Sequence, residues 1–424
     1  MKLFETEGSK GKTHDVTLEE LSAAYGKVRS NAGASGIDGQ SLEMFEATKV
    51  NGLYKLWNRM ASGSYFPKAV RGVEIPKSDG GVRLLGIPTV SDRIAQQVAV
   101  NVMEPVMEKV FHSDSYGYRP GKSAHMAIDQ CLERCHAYRW VIDMDIKGYF
   151  DCIDHELMMK VVEYYFTDRW VLLYIQRWLK SPLMMPDGKL VERTKGTPQG
   201  GVISPLLSNM FLHVVFDAWM QNLYADNPHG NVRWERYADD IIVHCKTEKE
   251  ARYLLTQIRK RMKSCKLELH PEKTKIVYCK QSGRWGSNRQ VKFNFLGFEF
   301  SPSVVKCKDG RKRICYRAQI SSQSKKNIVR YFERMKIHRC TSLTLVQIAE
   351  RMVPQLRGWI RYYSIVSPSA LQEVFSVLND RLVRWYTNKY KRYRRRMQQA
   401  REQLRADYKN FPNLFVHWQY GYTP

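Results

Sequence analysis

What this chain of 424 residues lacks narrows its identity first. It has no uninterrupted apolar run near the roughly 18 residues that a membrane span needs, so it reads as a folded soluble protein. Its start, Met1-Lys2-Leu3-Phe4-Glu5, turns polar too early for a secretory signal. Its nine cysteines are scattered and odd in number, which argues against a disulfide framework and makes a reducing cytoplasm the expected location. Cys131 and Cys135 stand one helical turn apart with no second pair, too few ligands for a zinc site. There is no internal repeat and no extended low-complexity linker. Acidic residues are also short, with 42 Asp and Glu against 68 Lys and Arg, a formal net charge of +26.

That excess calls for a polyanion. Nucleic acid is the commonest, and neutralising its phosphates gives salt-sensitive affinity. An anionic membrane surface is the alternative, but no amphipathic anchor or lipidation signal supports it. The length favours two or three domains or subdomains, and 43% hydrophobic with 12% aromatic residues can bury a large core.

The hydrophobic periodicity predicts a helix over 17–31, capped by Thr17 with Glu20 three positions on. Strands over 70–77 and 82–87 flank Ser78-Asp79-Gly80-Gly81 as a hairpin, and a helix runs from about Ser91 to Val110. The middle then alternates: strand 140–146, helix 155–166, a long helix after Pro205, a strand pair around 237–244, helix 248–264 and strand 275–279. Helices on one face of a sheet account for that order. From about residue 318 helical periodicity takes over, at 324–337, 344–363 and 369–400. The last of these carries the basic run Lys389–Arg396, interleaved with tyrosines.

The sharpest chemical signal is Arg236-Tyr237-Ala238-Asp239-Asp240-Ile241-Ile242-Val243. Adjacent acids inside an apolar strand pattern are expensive to bury unless they sit at a hairpin turn or hold a cation. The short string alone leaves both readings open. A second string, Val141-Ile142-Asp143-Met144-Asp145-Ile146, adds carboxylates from far upstream, and alternation puts Asp143 and Asp145 on one face of a strand. Carboxylates from distant strands are what a two-metal phosphoryl-transfer site requires, and oxygen ligands suit Mg²⁺.

With these strings and several others, the chain resembles the reverse transcriptases encoded by bacterial group II introns and their group II-like relatives, from about residue 20 to 400. The others are Val73-Glu74-Ile75-Pro76-Lys77, Gly86-Ile87-Pro88-Thr89-Val90-Ser91-Asp92-Arg93 and Ser115-Tyr116-Gly117-Tyr118-Arg119-Pro120. Gly196-Thr197-Pro198-Gln199-Gly200-Gly201, Asn294-Phe295-Leu296-Gly297-Phe298 and Gly358-Trp359-Ile360-Arg361-Tyr362-Tyr363 follow in order.

The resemblance implies an α+β right hand. Its parts would be an N-terminal extension (1–60), fingers and a palm with an antiparallel sheet and helices on one face (61–315), a helical thumb or maturase-like domain (316–400) and a short tail (401–424). It implies RNA-directed DNA polymerisation with Asp145, Asp239 and Asp240 as catalytic acids. Asp145, Ile146, Asp239 and Asp240 form the metal set for two Mg²⁺ ions, with Mn²⁺ as a substitute. Asp143 is the alternative to Asp145, and the spacing to Phe150 favours Asp145. Phe150 matches the ring that clashes with a 2′-hydroxyl. Arg71 and Lys77 match cations that meet the triphosphate, and Gln199 lines the nucleotide pocket. A solvated hairpin face and a ligand-free tight loop are the plain alternatives for these three.

Arg119, Arg361, Lys389, Arg392 and Arg394 are expected nucleic-acid contacts, though a buried salt bridge is nearly as good a reading of Arg119. Trp359 reads as core, Tyr390 and Tyr393 as packing, and His244 and His270 as ordinary residues. The implied partners are an RNA template, a DNA or RNA primer, deoxynucleoside triphosphates and an intron RNA, with no membrane.

Two enzyme roles fit: an intron-encoded polymerase that is also a splicing maturase, and a free-standing polymerase of repair or defence. A splicing cofactor with a decayed site is the non-enzymatic alternative, against which the intact acids argue. No cysteine follows Cys340, so a Cys-rich zinc endonuclease is not expected.

Overall fold

The computed structural model describes residues 14–76, 81–224, 232–284, 288–306, 310–366 and 368–424. Its strands are β1 (Val70–Pro76), β2 (Val82–Ile87), β3 (Trp140–Met144), β4 (Leu183–Met184), β5 (Leu190–Val191), β6 (Val232–Tyr237), β7 (Asp240–Cys245), β8 (Lys275–Tyr278), β9 (Phe293–Phe295), β10 (Phe298–Lys306) and β11 (Lys312–Ile320). Helices and antiparallel strand pairs make the chain α+β. It divides into two compact units, residues 1–127 with 144–275, and residues 128–143 with 276–424. Among the described residues no helix is long and apolar enough to cross a membrane, and no described cysteine forms a disulfide.

In the first unit, helix Leu18–Ser30 opens with the expected capping box. The Glu20 N–H donates to Thr17 Oγ1 at 3.2 Å and the Thr17 N–H to Glu20 Oε2 at 2.8 Å, satisfying two otherwise orphaned donors. Its apolar positions Leu21, Ala24, Tyr25 and Val28 recur at helical spacing and are buried. They face helix Val90–Glu108, which is apolar around most of its girth and supplies much of the core: Ile94, Ala95, Val98, Ala99, Met103 and Met107 have no exposed surface. The β1–β2 hairpin pairs Arg71 with Ile87 and Ile75 with Arg83, and β1 continues parallel to β4, giving a sheet ordered β2-β1-β4-β5.

The second unit joins a three-stranded antiparallel sheet, β11-β10-β9, to a helical core. Helices Ser322–Met335, Leu345–Tyr363 and Pro368–Lys389 bury Phe332, Met352, Leu356, Phe375, Leu378 and Leu382. Two expectations are corrected here. The helix expected over 369–400 ends at Lys389, and a new one begins at Met397. A continuous helix would spread the cations of 391–396 over every face, the buried one included. The chain instead turns so that Tyr393 is buried and its hydroxyl donates to Gln403 Oε1 at 2.8 Å. Residues 401–424 are not a tail either. Phe415, Val416, Trp418 and Tyr422 are buried in the helical core, and Trp418 Nε1 donates to Asn379 Oδ1 at 3.1 Å.

Candidate active site

Every part of this site lies in the first unit. β6 and β7 form an antiparallel hairpin closed by the pair Tyr237 and Asp240, leaving Ala238 and Asp239 as a two-residue turn. Tight hairpins need positive φ at the first turn position, and Ala238 takes φ +56°. A non-glycine residue held there costs on the order of 1 kcal/mol or more, so something must hold it.

The holder is Arg236, whose side chain has no exposed surface. Its Nη1 donates to the Ala238 carbonyl at 3.2 Å and to Asn209 Oδ1 at 2.8 Å, while Nε and Nη2 grip Asp217 Oδ2 at 3.0 and 2.6 Å. Asp217 sits on a widened helical turn, His213–Asp217, that interrupts the long helix expected after Pro205. The Arg236 main chain is bonded on both sides by the Asp114–Tyr116 segment, at 2.9 and 2.7 Å. The next residue must be glycine, because a Cβ on Gly117 would fall 2.4 Å from the Ala238 nitrogen.

Asp145 follows the end of β3 and is positioned by its main chain. Its carbonyl accepts the His270 N–H at 2.7 Å, and the neighbouring Lys147 N–H donates to Glu268 at 2.9 Å. Ile146 faces Leu269 in this bridge, whose two bonds are made by the flanking residues and leave its own carbonyl out of them.

The acids act on one another. Burial, then the charge of Asp145, raises the Asp239 pKa. Solvent reaches Asp240, yet protein crowds it, and this crowding followed by the charges of Asp239 and Asp145 pushes its pKa up to about 7. The charge of Arg83 on β2 opposes both shifts. Lys273 Nζ lies 3.7 Å from Asp145 Oδ2, and no described cation lies within ion-pair distance of Asp239 or Asp240. A cluster in which neighbouring carboxylate charge raises the pKa of Asp239 and Asp240, with so little cationic compensation, fits an oxygen-liganded dication. Arg83 and Lys273 escaped the sequence reading. An exposed arginine just past the hairpin turn was the available signal for Arg83. Nothing local marks Lys273.

The remaining nucleotide candidates are tied together by main-chain bonds. Phe150 lies half-buried in the short helix Tyr149–Cys152, and its carbonyl accepts the Thr197 N–H at 2.8 Å. The Gln199 carbonyl accepts the Gly86 N–H of β2 at 2.7 Å, and Gly200, at φ +112°, approaches so closely that a Cβ would sit 2.6 Å from the Gly86 carbonyl. Arg71 is half-buried on β1, its Nε buried with no hydrogen-bond partner among the described residues. Lys77 lies outside the described residues.

Two of the expected nucleic-acid contacts are engaged within the fold. Of its two readings Arg119 takes the buried salt bridge: its side chain is 5% exposed, pairs with Glu108 at 2.8 Å and donates to the His112 and Ser115 carbonyls. Lys389 Nζ donates to the Leu343 carbonyl and lies 5.0 Å from the Trp385 ring centroid, so its charge serves the fold. His244, read from the sequence as an ordinary residue, is fully buried and bonded to Glu235 at 2.6 Å. Arg361, Arg392 and Arg394 are exposed on the second unit, with Arg392 over the Tyr393 ring at 4.5 Å. Trp359 packs edge-on against Tyr331 and Phe332, as core.

A family profile described as reverse transcriptase (RNA-dependent DNA polymerase) matches residues 75–300, just over half of the chain. A second, described as group II intron, maturase-specific domain, matches residues 325–403. Protein YkfC of Escherichia coli K12 is 34% identical over 276 residues, which is 57% of this chain and 72% of that protein. Group II intron-encoded protein LtrA of Lactococcus lactis subsp. cremoris is 34% identical over 193 residues, 45% of this chain but only 32% of LtrA. The putative COX1/OXI3 intron 1 protein of Saccharomyces cerevisiae is 28% identical over 258 residues, 61% of this chain and 29% of its own length.

Proposed function

Since the chain belongs to the reverse transcriptase (RNA-dependent DNA polymerase) family, we propose that it copies RNA into DNA at Asp145, Asp239 and Asp240. The observation that carries this reading is the crowding of these three carboxylates, in which the charge of Asp145 bears on Asp239 and the charges of both bear on Asp240, with Asp239 on a turn held from behind by a buried arginine. They would hold two Mg²⁺ ions together with the Ile146 carbonyl. Bound there, the ions would lower the pKa of the primer 3′-hydroxyl and offset charge on the triphosphate.

The rest is done by the chain itself. Arg83, whose charge already reaches the acids, supplies a cation for the incoming triphosphate, Arg71 on the paired strand is a second, and Lys77 is a third by the family resemblance. Phe150 lies under the sugar and excludes a 2′-hydroxyl. Gln199 lines the pocket on a loop tied to β2. In this reading the first unit supplies fingers and palm, and the helices of the second supply the thumb.

A second role rests on the match of residues 325–403 to the maturase-specific domain, which favours a grip on intron RNA by the second unit. A free-standing polymerase of repair or defence is the alternative, and a splicing cofactor without polymerase activity is the third. Primer extension on an RNA template tests the main reading. Asp239→Asn should leave less than a few per cent of wild-type extension in Mg²⁺ while RNA affinity stays within about twofold, since no buried bond of the fold is lost. Extension near the wild-type rate would remove Asp239 from the catalytic set. An intron-specific component of RNA binding that survives high salt would favour the maturase over the free-standing enzyme.

A further inference from the structure

Away from the acids, the first unit carries a second concavity. A cavity of about 420 Å³ opens between helix Lys49–Ala61 and the segment Tyr65–Lys68. Its floor is apolar, formed by the buried Phe45, Leu56 and Tyr65, and no carboxylate lines its wall. The nearest buried acid, Asp92, is engaged by the Tyr65 and Thr89 hydroxyls.

Three cations stand at the rim: Lys55, Arg59 and Lys68. Lys68 pairs with Asp38 at 3.2 Å. Lys55 and Arg59 lie one turn apart on the same helix face, and neither forms an ion pair among the described residues. Like charges at that spacing weaken a helix slightly, and a bound anion would offset that.

The second feature is Phe66, 68% exposed at the cavity edge. The Arg177 guanidinium covers one face of its ring at 3.9 Å from the centroid, and is itself held by the Gly63 and Tyr65 carbonyls. The other face is left open. A ring stiffened from behind and beside two unpaired cations suits a nucleotide, with a π-face for the base and charge for the phosphate. An acidic peptide would use the cations and leave the ring idle. The volume is that of a small-molecule pocket, enough for one nucleotide.

We propose that this cavity is a subsite for single-stranded RNA, taking one nucleotide with its phosphate at Lys55 and Arg59 and its base on Phe66. The proposal does not depend on polymerisation, because it uses other residues and is measured without triphosphates or Mg²⁺.

The test uses the full chain and a fluorescein-labelled oligouridylate of about twelve nucleotides, within the usual range of single-strand site sizes. Binding is titrated against salt, and a 4-thiouridine version is cross-linked and its peptide mapped. The wild type should cross-link in the peptide that holds Phe66. Lys55→Gln with Arg59→Gln should weaken binding at low salt by about tenfold or more and flatten the slope of log affinity against log salt by about 0.7, the share of the one phosphate that both cations hold. Phe66→Ala should lose the cross-link and about tenfold in affinity with the slope unchanged, since stacking carries no counterion release. Extension on a saturating, preannealed primer–template should be unaffected in both variants, all three side chains being on the surface.

Unchanged affinity and slope in the double variant would overturn the proposal. So would a cross-link that free uridine monophosphate abolishes without lowering oligonucleotide affinity, which would make this a free-nucleotide site. Loss of extension on the preannealed substrate would place these residues in the polymerase itself, and that too would overturn it.

Discussion

Arg236 and Asp217 form a bidentate ion pair with no exposed side-chain surface on either partner, and the same guanidinium bonds the carbonyl of Ala238, the residue just before Asp239. A fully buried pair is weak evidence of added stability, since desolvation offsets much of its attraction. Its geometry is better explained by the strained turn that it holds.

That reading separates stability from activity. Asp217→Ala should destabilise the protein by about 3–5 kcal/mol, because it strands a buried guanidinium. Arg236→Met with Asp217→Leu should recover most of that loss, as apolar replacements of buried pairs often do. The double variant should still extend primers at least about tenfold more slowly, since the Ala238 carbonyl has lost its donor and small misplacements of catalytic groups are costly. Denaturant unfolding and primer extension on the same preparations check both halves. Full activity in the stable double variant would leave the pair a purely structural role.

Asp240 gives a pH signature. Its folded pKa, about 7, lies above the ordinary 3.8, so between these values the folded state binds more protons than the unfolded one. In metal-free protein its contribution to stability therefore falls as pH rises from about 4 to about 7, and is lowest above that. Asp240→Asn should lack this decline and melt higher than the wild type at pH 8 in a chelator. Adding Mg²⁺ at pH 8 should raise the melting temperature of the wild type and leave the variant nearly unmoved. A wild type indifferent to Mg²⁺ would count against a dication at these acids.

Phe150→Ala should raise the incorporation of ribonucleotides relative to deoxynucleotides, by about tenfold or more if the ring is the main steric barrier. Steady-state kinetics with matched triphosphate pairs would measure it. An unchanged ratio in an active variant would place the gate elsewhere and weaken the choice of Asp145 over Asp143.

The basic run divides into cations that the fold has used and cations that it has not. Replacing Arg392, Arg394, Arg395 and Arg396 together by Ser should flatten the salt slope of RNA binding by up to about three units if all four touch phosphate. Lys389→Met should leave the slope unchanged, because that ammonium already bonds the Leu343 carbonyl. Equal slopes for the wild type and the fourfold variant would move the search for contacts to Arg357 and Arg361.

Local chemistry was legible from the amino-acid order. The capping box of Thr17 and Glu20 involves residues three apart, β1 pairs with β2 as expected although most of the turn expected at 78–81 lies outside the described residues, and the acid pair at 239–240 announces itself by interrupting an apolar strand. The overall charge and the ordered motifs also needed no coordinates to point to nucleic acid and to the family. What only the tertiary structure decided is which charges meet. Arg119 finds Glu108, Arg236 finds Asp217 and Arg83 reaches the acids, while Lys55 and Arg59 find no carboxylate among the described residues. It also decided that the helix breaks after Lys389 and that the last twenty-odd residues belong to a core. Both kinds of outcome have one physical reason. A charge or a ring is assigned its role by the groups within a few ångströms of it, through Coulomb attraction and burial, and chain folding brings those groups from positions that no local pattern specifies.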